Sequence, residues 1–151
     1  MPVAETVLPG GTLLEELVTR HGRGARVTRV APVLPTSTPL AVLVDRSTGS
    51  TAEVLAAAIQ AAGRGIIVGS QTSGAVAEKQ VFWLPGGAAL VVQTSRVLDP
   101  RGLALDGVGV IPDVVHPLVA DDLDRGVDSQ LERAIQEVAA SLERHDGRSR
   151  R

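Results

Sequence analysis

Residues 40–69 constrain the fold more than any other part of this 151-residue chain. Residues 40–44 read LAVLV, a continuous apolar run of the kind found in strands buried on both faces of a mainly parallel sheet. A polar turn, residues 45–50, leads into a segment, 51–62, that places Ala52, Leu55, Ala56 and Ile59 on one side of a helix, and Gly63 stops it. Residues 65–69 (GIIVG) form a second buried run. Parallel strands need a long crossover, so this stretch predicts a strand, helix, strand unit with a right-handed connection. The fold class is therefore α/β, a mixed sheet with flanking helices, and the length is that of one domain.

Composition narrows the chemistry. Fifteen Lys and Arg against 17 Asp and Glu give a net charge of −2, without the basic footprint of a nucleic-acid binder. Cysteine is absent, which removes disulfides, thiolate nucleophiles and sulfur-bound zinc, and leaves the compartment open because export does not require Cys. His21, His116 and His145 share no short ligand spacing, so neither a metal nor a cofactor is expected. The N-terminus lacks the basic and apolar regions of a signal peptide, and no apolar run has the roughly 18 residues of a membrane span. Phe82 and Trp83 are the only aromatic residues, so the core is expected to be aliphatic.

Outside the central unit, Pro9, Gly10 and Gly11 punctuate the chain, and Thr12 with Glu15 three residues on has capping-box spacing ahead of Leu13, Leu14, Leu17 and Val18. That pattern predicts a short amphipathic helix ending near Gly22. A strand is expected over 26–33, a loop over 35–39, and a hairpin from 80–84 and 88–94 around Pro85, Gly86 and Gly87. Phe82 and Trp83, adjacent on that hairpin, should point to opposite faces, one of them exposed. A short strand over 108–111 stops at Pro112. Residues 128–144 form a last helix with Leu131, Ile135, Val138 and Leu142 on one face, ahead of a frayed basic tail, 145–151.

The junction at Ser50 carries the chemistry. A buried strand ends, a Gly-containing turn follows, and a helix begins, so the hydroxyl stands at the carboxyl end of the sheet beside the unpaired N–H groups of a helix N-terminus. Ser50 and Glu53 also have S-x-x-E spacing, and helix capping alone accounts for both residues.

Four segments in order resemble the catalytic core of the tail-specific, or C-terminal processing, serine peptidases of family S41. PLAVLVDRSTGSTAE is similar to the nucleophile segment, with Ser50 in the nucleophile's place, and AGRGIIVGSQTSG to the strand and Gly turn that follow. SRVLDPRGLALDGVGVIPDVV resembles the closing segment with its G-x-G-x-x-P-D signature at Gly107, Gly109, Pro112 and Asp113, and Asp128, Gln130, Leu131 and Ala134 match the final pattern. The resemblance implies a ClpP/crotonase-like core and hydrolysis of peptide bonds in polypeptide substrates through an acyl-enzyme at Ser50. It implies an oxyanion site from the Thr51 N–H and a Gly-Gly loop, here Gly11. In these terms residues 1–38 are a partial N-terminal part of the core with the Gly-Gly loop, 39–144 the peptidase-like core, and 145–151 a disordered basic tail; a homo-oligomer is compatible with it.

The base departs from the pattern. The bacterial processing branch places a Lys 25 residues after the Ser and a Gln four beyond; Ala75 and Lys79 stand there. Thr72-Ser73-Gly74 and the T-G-S-x-A-E turn resemble instead the tricorn, retinoid-binding and nisin-resistance branch, whose base is a His upstream of the Gly-Gly loop, where this chain has none. Three readings stand: Lys79 as a displaced base, with an ordinary edge-strand charge as its alternative; His21; or no base in this chain. The rival to an enzyme is a pseudo-peptidase that binds peptides or assembles.

Overall fold

The computed structural model describes the backbone of residues 2–149 and the side chains through Arg144. In chain order it contains α1 (Pro2–Val7), β1 (Leu13–Thr19), β2 (Gly22–Val27), β3 (Ala41–Val44), α2 (Thr51–Ala61), β4 (Ile66–Gly69), β5 (Ala77–Trp83), β6 (Ala89–Leu98), β7 (Val114–Val115), α3 (Ala120–Asp124) and α4 (Ser129–Ser149). The strands form two sheets, a parallel one ordered β3-β4-β7 and an antiparallel one ordered β2-β1-β6-β5. The mixed α/β class predicted from the sequence is the class observed.

The strand, helix, strand unit is in place. β3 and β4 run parallel in register from Ala41 opposite Ile66 to Val44 opposite Gly69. Between them α2 buries Val54, Ala56, Ala57, Ala58 and Ile59 and packs on β1 of one sheet and β4 of the other, so one helix cements both sheets. Three consecutive alanines with almost no exposure let these layers approach closely, as a close-packed aliphatic interior requires. Gly69 is a further requirement: it has φ +144°, and a Cβ there would meet the Val44 carbonyl oxygen at 1.8 Å.

The D-x-Q-L-x-x-A pattern is a docking device. Asp128 Oδ1 accepts the Leu131 N–H at 2.9 Å and starts α4; Gln130, buried, donates through Nε2 to the Val44 carbonyl at 2.9 Å and the Val68 carbonyl at 3.2 Å. Ala134 is buried in the same helix. Gln130 thereby ties α4 to the ends of β3 and β4, next to the turn that leads to Ser50.

Several local expectations are corrected. Residues 13–27 are a β-hairpin rather than a helix, because β1 pairs with β2 on one side and with β6 on the other (Glu16 opposite Leu98, Val18 opposite Arg96), and those pairings outweigh a helical spacing of four apolar residues. Thr12 is no cap: its hydroxyl donates to the Pro9 carbonyl at 2.7 Å. The strand expected over 26–33 ends at Val27, and residues 108–111 form no strand; β7 follows them at Val114–Val115. Phe82 and Trp83 are both exposed, since β5 and β6 extend past the body as a two-stranded ribbon with both faces open. Helices α1 and α3 are additional to the elements the sequence pattern predicts. α4 carries helix past Arg144 to Ser149, and the last two residues of the expected tail, 150–151, lie outside the described residues.

Candidate active site

Ser50 caps α2 with φ 56° and ψ −128°, and it is the only non-glycine residue with positive φ among the described residues. A side-chain-bearing residue held there stores on the order of 1–3 kcal/mol of backbone strain, and the conformation is that of a nucleophile on a sharp strand-to-helix turn. The turn is built by Asp45 at the end of β3, whose Oδ1 accepts the Ser47 and Thr48 N–H groups at 2.8 and 3.0 Å and the Ser47 hydroxyl at 2.7 Å. These bonds, from Ser47 foremost, hold the Asp45 carboxyl below its ordinary value. Ser50→Gly should be more stable than Ser50→Ala by about 1 kcal/mol, because glycine adopts this φ without penalty; equal urea midpoints would show that the turn is relaxed.

Glu53 is the hub of the site. It is fully buried, and its carboxylate accepts five hydrogen bonds. Oε2 takes the Ser50 N–H at 3.0 Å, the Ala75 N–H at 3.0 Å and the Ser73 hydroxyl at 3.3 Å; Oε1 takes the Gly74 N–H at 2.7 Å and the Thr72 hydroxyl. The Ser50 side chain faces the Glu53 N–H in the reciprocal arrangement of a capping box without forming a side-chain hydrogen bond itself, and the Glu53 N–H donates to the Ser50 carbonyl at 3.0 Å. The capping alternative therefore holds for Glu53, while the Ser50 hydroxyl remains exposed.

The G-x-G-x-x-P-D signature supports the same loop from outside. Gly107 N–H donates to the Gly74 carbonyl at 2.8 Å, Val110 N–H to the Thr72 hydroxyl at 2.7 Å, and Thr72 N–H to the Val110 carbonyl at 3.1 Å. A Cβ on Gly109 would meet the Thr72 carbonyl oxygen at 2.7 Å, and one on Gly74 the Val108 nitrogen at 2.8 Å, so the two turns interlock only through glycine. Asp113 accepts the Ile67 N–H at 2.7 Å and the Gln60 side-chain amide at 2.8 Å, holding β4 and α2.

Ser50 and Thr51 line a cleft of about 110 Å³ together with Glu15, Leu17, Arg26, Val54, Val76, Ala77, Glu78 and Val97. The Thr51 N–H opens the first turn of α2, where helix N–H groups have no acceptor one turn back in the helix. Gly11 lies elsewhere: its N–H donates to the Thr28 carbonyl at 2.8 Å, and it does not line the cleft. Ala75 sits beside the nucleophile turn; its N–H shares Glu53 Oε2 with that of Ser50, and its Cβ lies 3.9 Å from where a Gly49 Cβ would stand. Lys79 is exposed on the edge strand β5, just past a register shift, opposite Gln93 and outside the cleft lining. His21 is in the β1–β2 turn, its Nε2 accepting from Arg20 at 2.8 Å, rather than at the end of a helix. Sequence reasoning missed Glu15, Arg26 and Glu78 as cleft residues. Among the described residues no cluster of His, Asp or Glu could hold a metal, and no helix is long and apolar enough to cross a membrane.

Ser50 thus stands strained on a strand-to-helix turn, at the carboxyl end of a parallel sheet and beside the first N–H groups of α2. The sequence profile of Peptidase family S41 matches residues 3–116, and the chain belongs to that family. It is 33% identical over 114 residues to carboxyl-terminal-processing peptidase 3, chloroplastic, of Arabidopsis thaliana, covering 76% of this chain and 22% of that protein. It is 32% identical over 123 residues to tricorn protease homolog 1 of Streptomyces coelicolor, covering 80% of this chain and 11% of that one. Among solved structures, a photosystem II D1 C-terminal processing protease superposes with a TM-score of 0.70 at 31% identity, covering 81% of this chain and 32% of its own. A peptidase structure from Parabacteroides merdae, at 19% identity and TM-score 0.72, covers 91% of this chain and 46% of its own and shares the fold. The chain spans about a fifth of the length of the first carboxyl-terminal-processing relatives it matches.

Proposed function

We propose that this chain carries the nucleophile of a serine peptidase that hydrolyses peptide bonds in polypeptides through an acyl-enzyme at Ser50. The observation that carries this reading is the backbone of Ser50, strained at φ 56° and exposed on the cleft. In the mechanism the Ser50 hydroxyl attacks the scissile carbonyl, and the Thr51 N–H, with the positive end of α2 behind it, stabilises the oxyanion. The residue at the base's place is Ala75, so the chain as it stands lacks the roughly 10² to 10⁴ that a positioned general base contributes and is a weak catalyst. Lys79 would have to swing from the open side of β5 to serve as base.

The test is slow cleavage of an unstructured polypeptide by the purified chain, followed by mass spectrometry, with Ser50→Ala and Lys79→Ala beside it. Cleavage far below the usual 1 to 10³ s⁻¹, lost in Ser50→Ala and retained in Lys79→Ala, is the expected outcome. Cleavage that survives Ser50→Ala refutes the nucleophile; ordinary rates abolished by Lys79→Ala establish a Ser and Lys dyad instead. The second reading, a pseudo-peptidase that binds peptides or assembles, is favoured by Ala75, and binding without any Ser50-dependent cleavage is its signature.

A further inference from the structure

Glu15 is a carboxylic acid only 3% exposed, on β1, in the wall of the Ser50 cleft. Its Oε1 accepts from Arg26 on β2. Its Oε2 has no protein donor, and it is not sealed away, because no buried side-chain oxygen among the described residues lacks a hydrogen-bond partner. That oxygen therefore keeps solvent contact, and the Ser50 cleft is the cavity that Glu15 lines. Glu78 of β5 completes the cluster, 3.5 Å from Arg26 and accepting the Ser95 hydroxyl at 2.8 Å. Two carboxylates around one guanidinium leave one uncompensated negative charge beside the nucleophile.

The rest of the lining is aliphatic at Leu17, Val54, Val76, Ala77 and Val97 and hydroxyl-bearing at Ser50 and Thr51. The cleft measures about 110 Å³. A cleft with aliphatic walls and a solvent-accessible oxygen of a largely buried carboxylate suits an alkyl stem with a cationic tip, since the methylenes pack on the walls while the charge meets its counterion. We propose that this cleft is the subsite for a basic substrate side chain, lysine foremost, and that Glu15 is its specificity residue. The inference rests on the peptidase reading above, but it concerns binding and is tested without turnover.

Burial holds the Glu15 carboxyl above its ordinary value, with Arg26 opposing and Glu78 adding to the rise. An entering ammonium would favour the ionised form that burial disfavours. The only other charged groups lining the cleft are Arg26 and Glu78; α2 contributes Ser50, Thr51 and Val54, and β6 contributes Val97.

The experiment measures, by calorimetry on the Ser50→Ala chain, the binding of two blocked alanine-rich peptides that differ at one central position, lysine against norleucine. The lysine peptide should bind about tenfold tighter, the size of one charge-assisted hydrogen bond, and Ser50→Ala/Glu15→Gln should abolish the difference. In the Ser50→Ala chain itself the preference should fade as pH drops through the raised carboxyl value of Glu15, which gives a readout that does not depend on the folding of the Gln variant. Equal binding, no binding of either peptide, or a preference that persists in Glu15→Gln or at low pH overturns the proposal. Cleavage that survives Ser50→Ala would instead strike the nucleophile and leave this binding result standing.

Discussion

Glu53→Ala should bring the chain close to unfolding, with a loss of about 4–5 kcal/mol against the 5–15 kcal/mol typical of a whole domain. The variant strips the acceptor from five donors at once, including the Gly74 N–H and the Thr72 hydroxyl in the buried interior. A buried donor left unpaired costs about 1–3 kcal/mol, and not every one of these can recover a water. Glu53→Gln should not rescue it, because one face of the carboxylate becomes an NH₂ group pointed at N–H donors. Urea unfolding followed by circular dichroism measures both variants; a midpoint for Glu53→Ala near that of the parent chain would show that the hub is not structural.

Ala75→Lys is expected to raise the Ser50-dependent reaction by about 10² to 10⁴, the usual contribution of a positioned general base. Residue 75 is exposed beside the nucleophile turn and is held by its backbone N–H, so a longer side chain leaves the Glu53 bonds intact. Only the neutral amine accepts the serine proton, so the gain should grow with rising pH, and Ala75→Arg, whose guanidinium stays protonated, should show none. Rates of Ser50 acylation by an activated ester across a pH series measure it. A gain that is absent at high pH, or equal for Arg, would remove position 75 from the chemistry.

The strand, helix, strand unit was legible because a strand covered on both faces leaves an unbroken apolar run that few other structures tolerate. Ser50 was legible for the same reason, as the polar residue where that run meets a helix. Its strained backbone was not, since φ 56° is set by the Asp45 turn and by the Glu53 carboxylate together. The Gly, Pro and Asp signature could be recognised as a pattern, yet its purpose, interlocking residues 107–110 with residues 72–74, exists only once the two turns meet.

Residues 13–18 show where local information ends. Paired apolar residues at 13, 14, 17 and 18 satisfy a helix as well as a strand, and the decision belongs to β6, distant in sequence, whose backbone groups take up those of β1. With that decision Glu15 changes from a capping partner on a helix surface into a buried acid in the wall of the cleft. The sequence by itself thus determined the family, the central unit and the place of Ser50 at its strand-to-helix junction, which depend on neighbours along the chain. Tertiary pairing alone decided which charges face that nucleophile, because a strand's side-chain direction is set by the strand it pairs with.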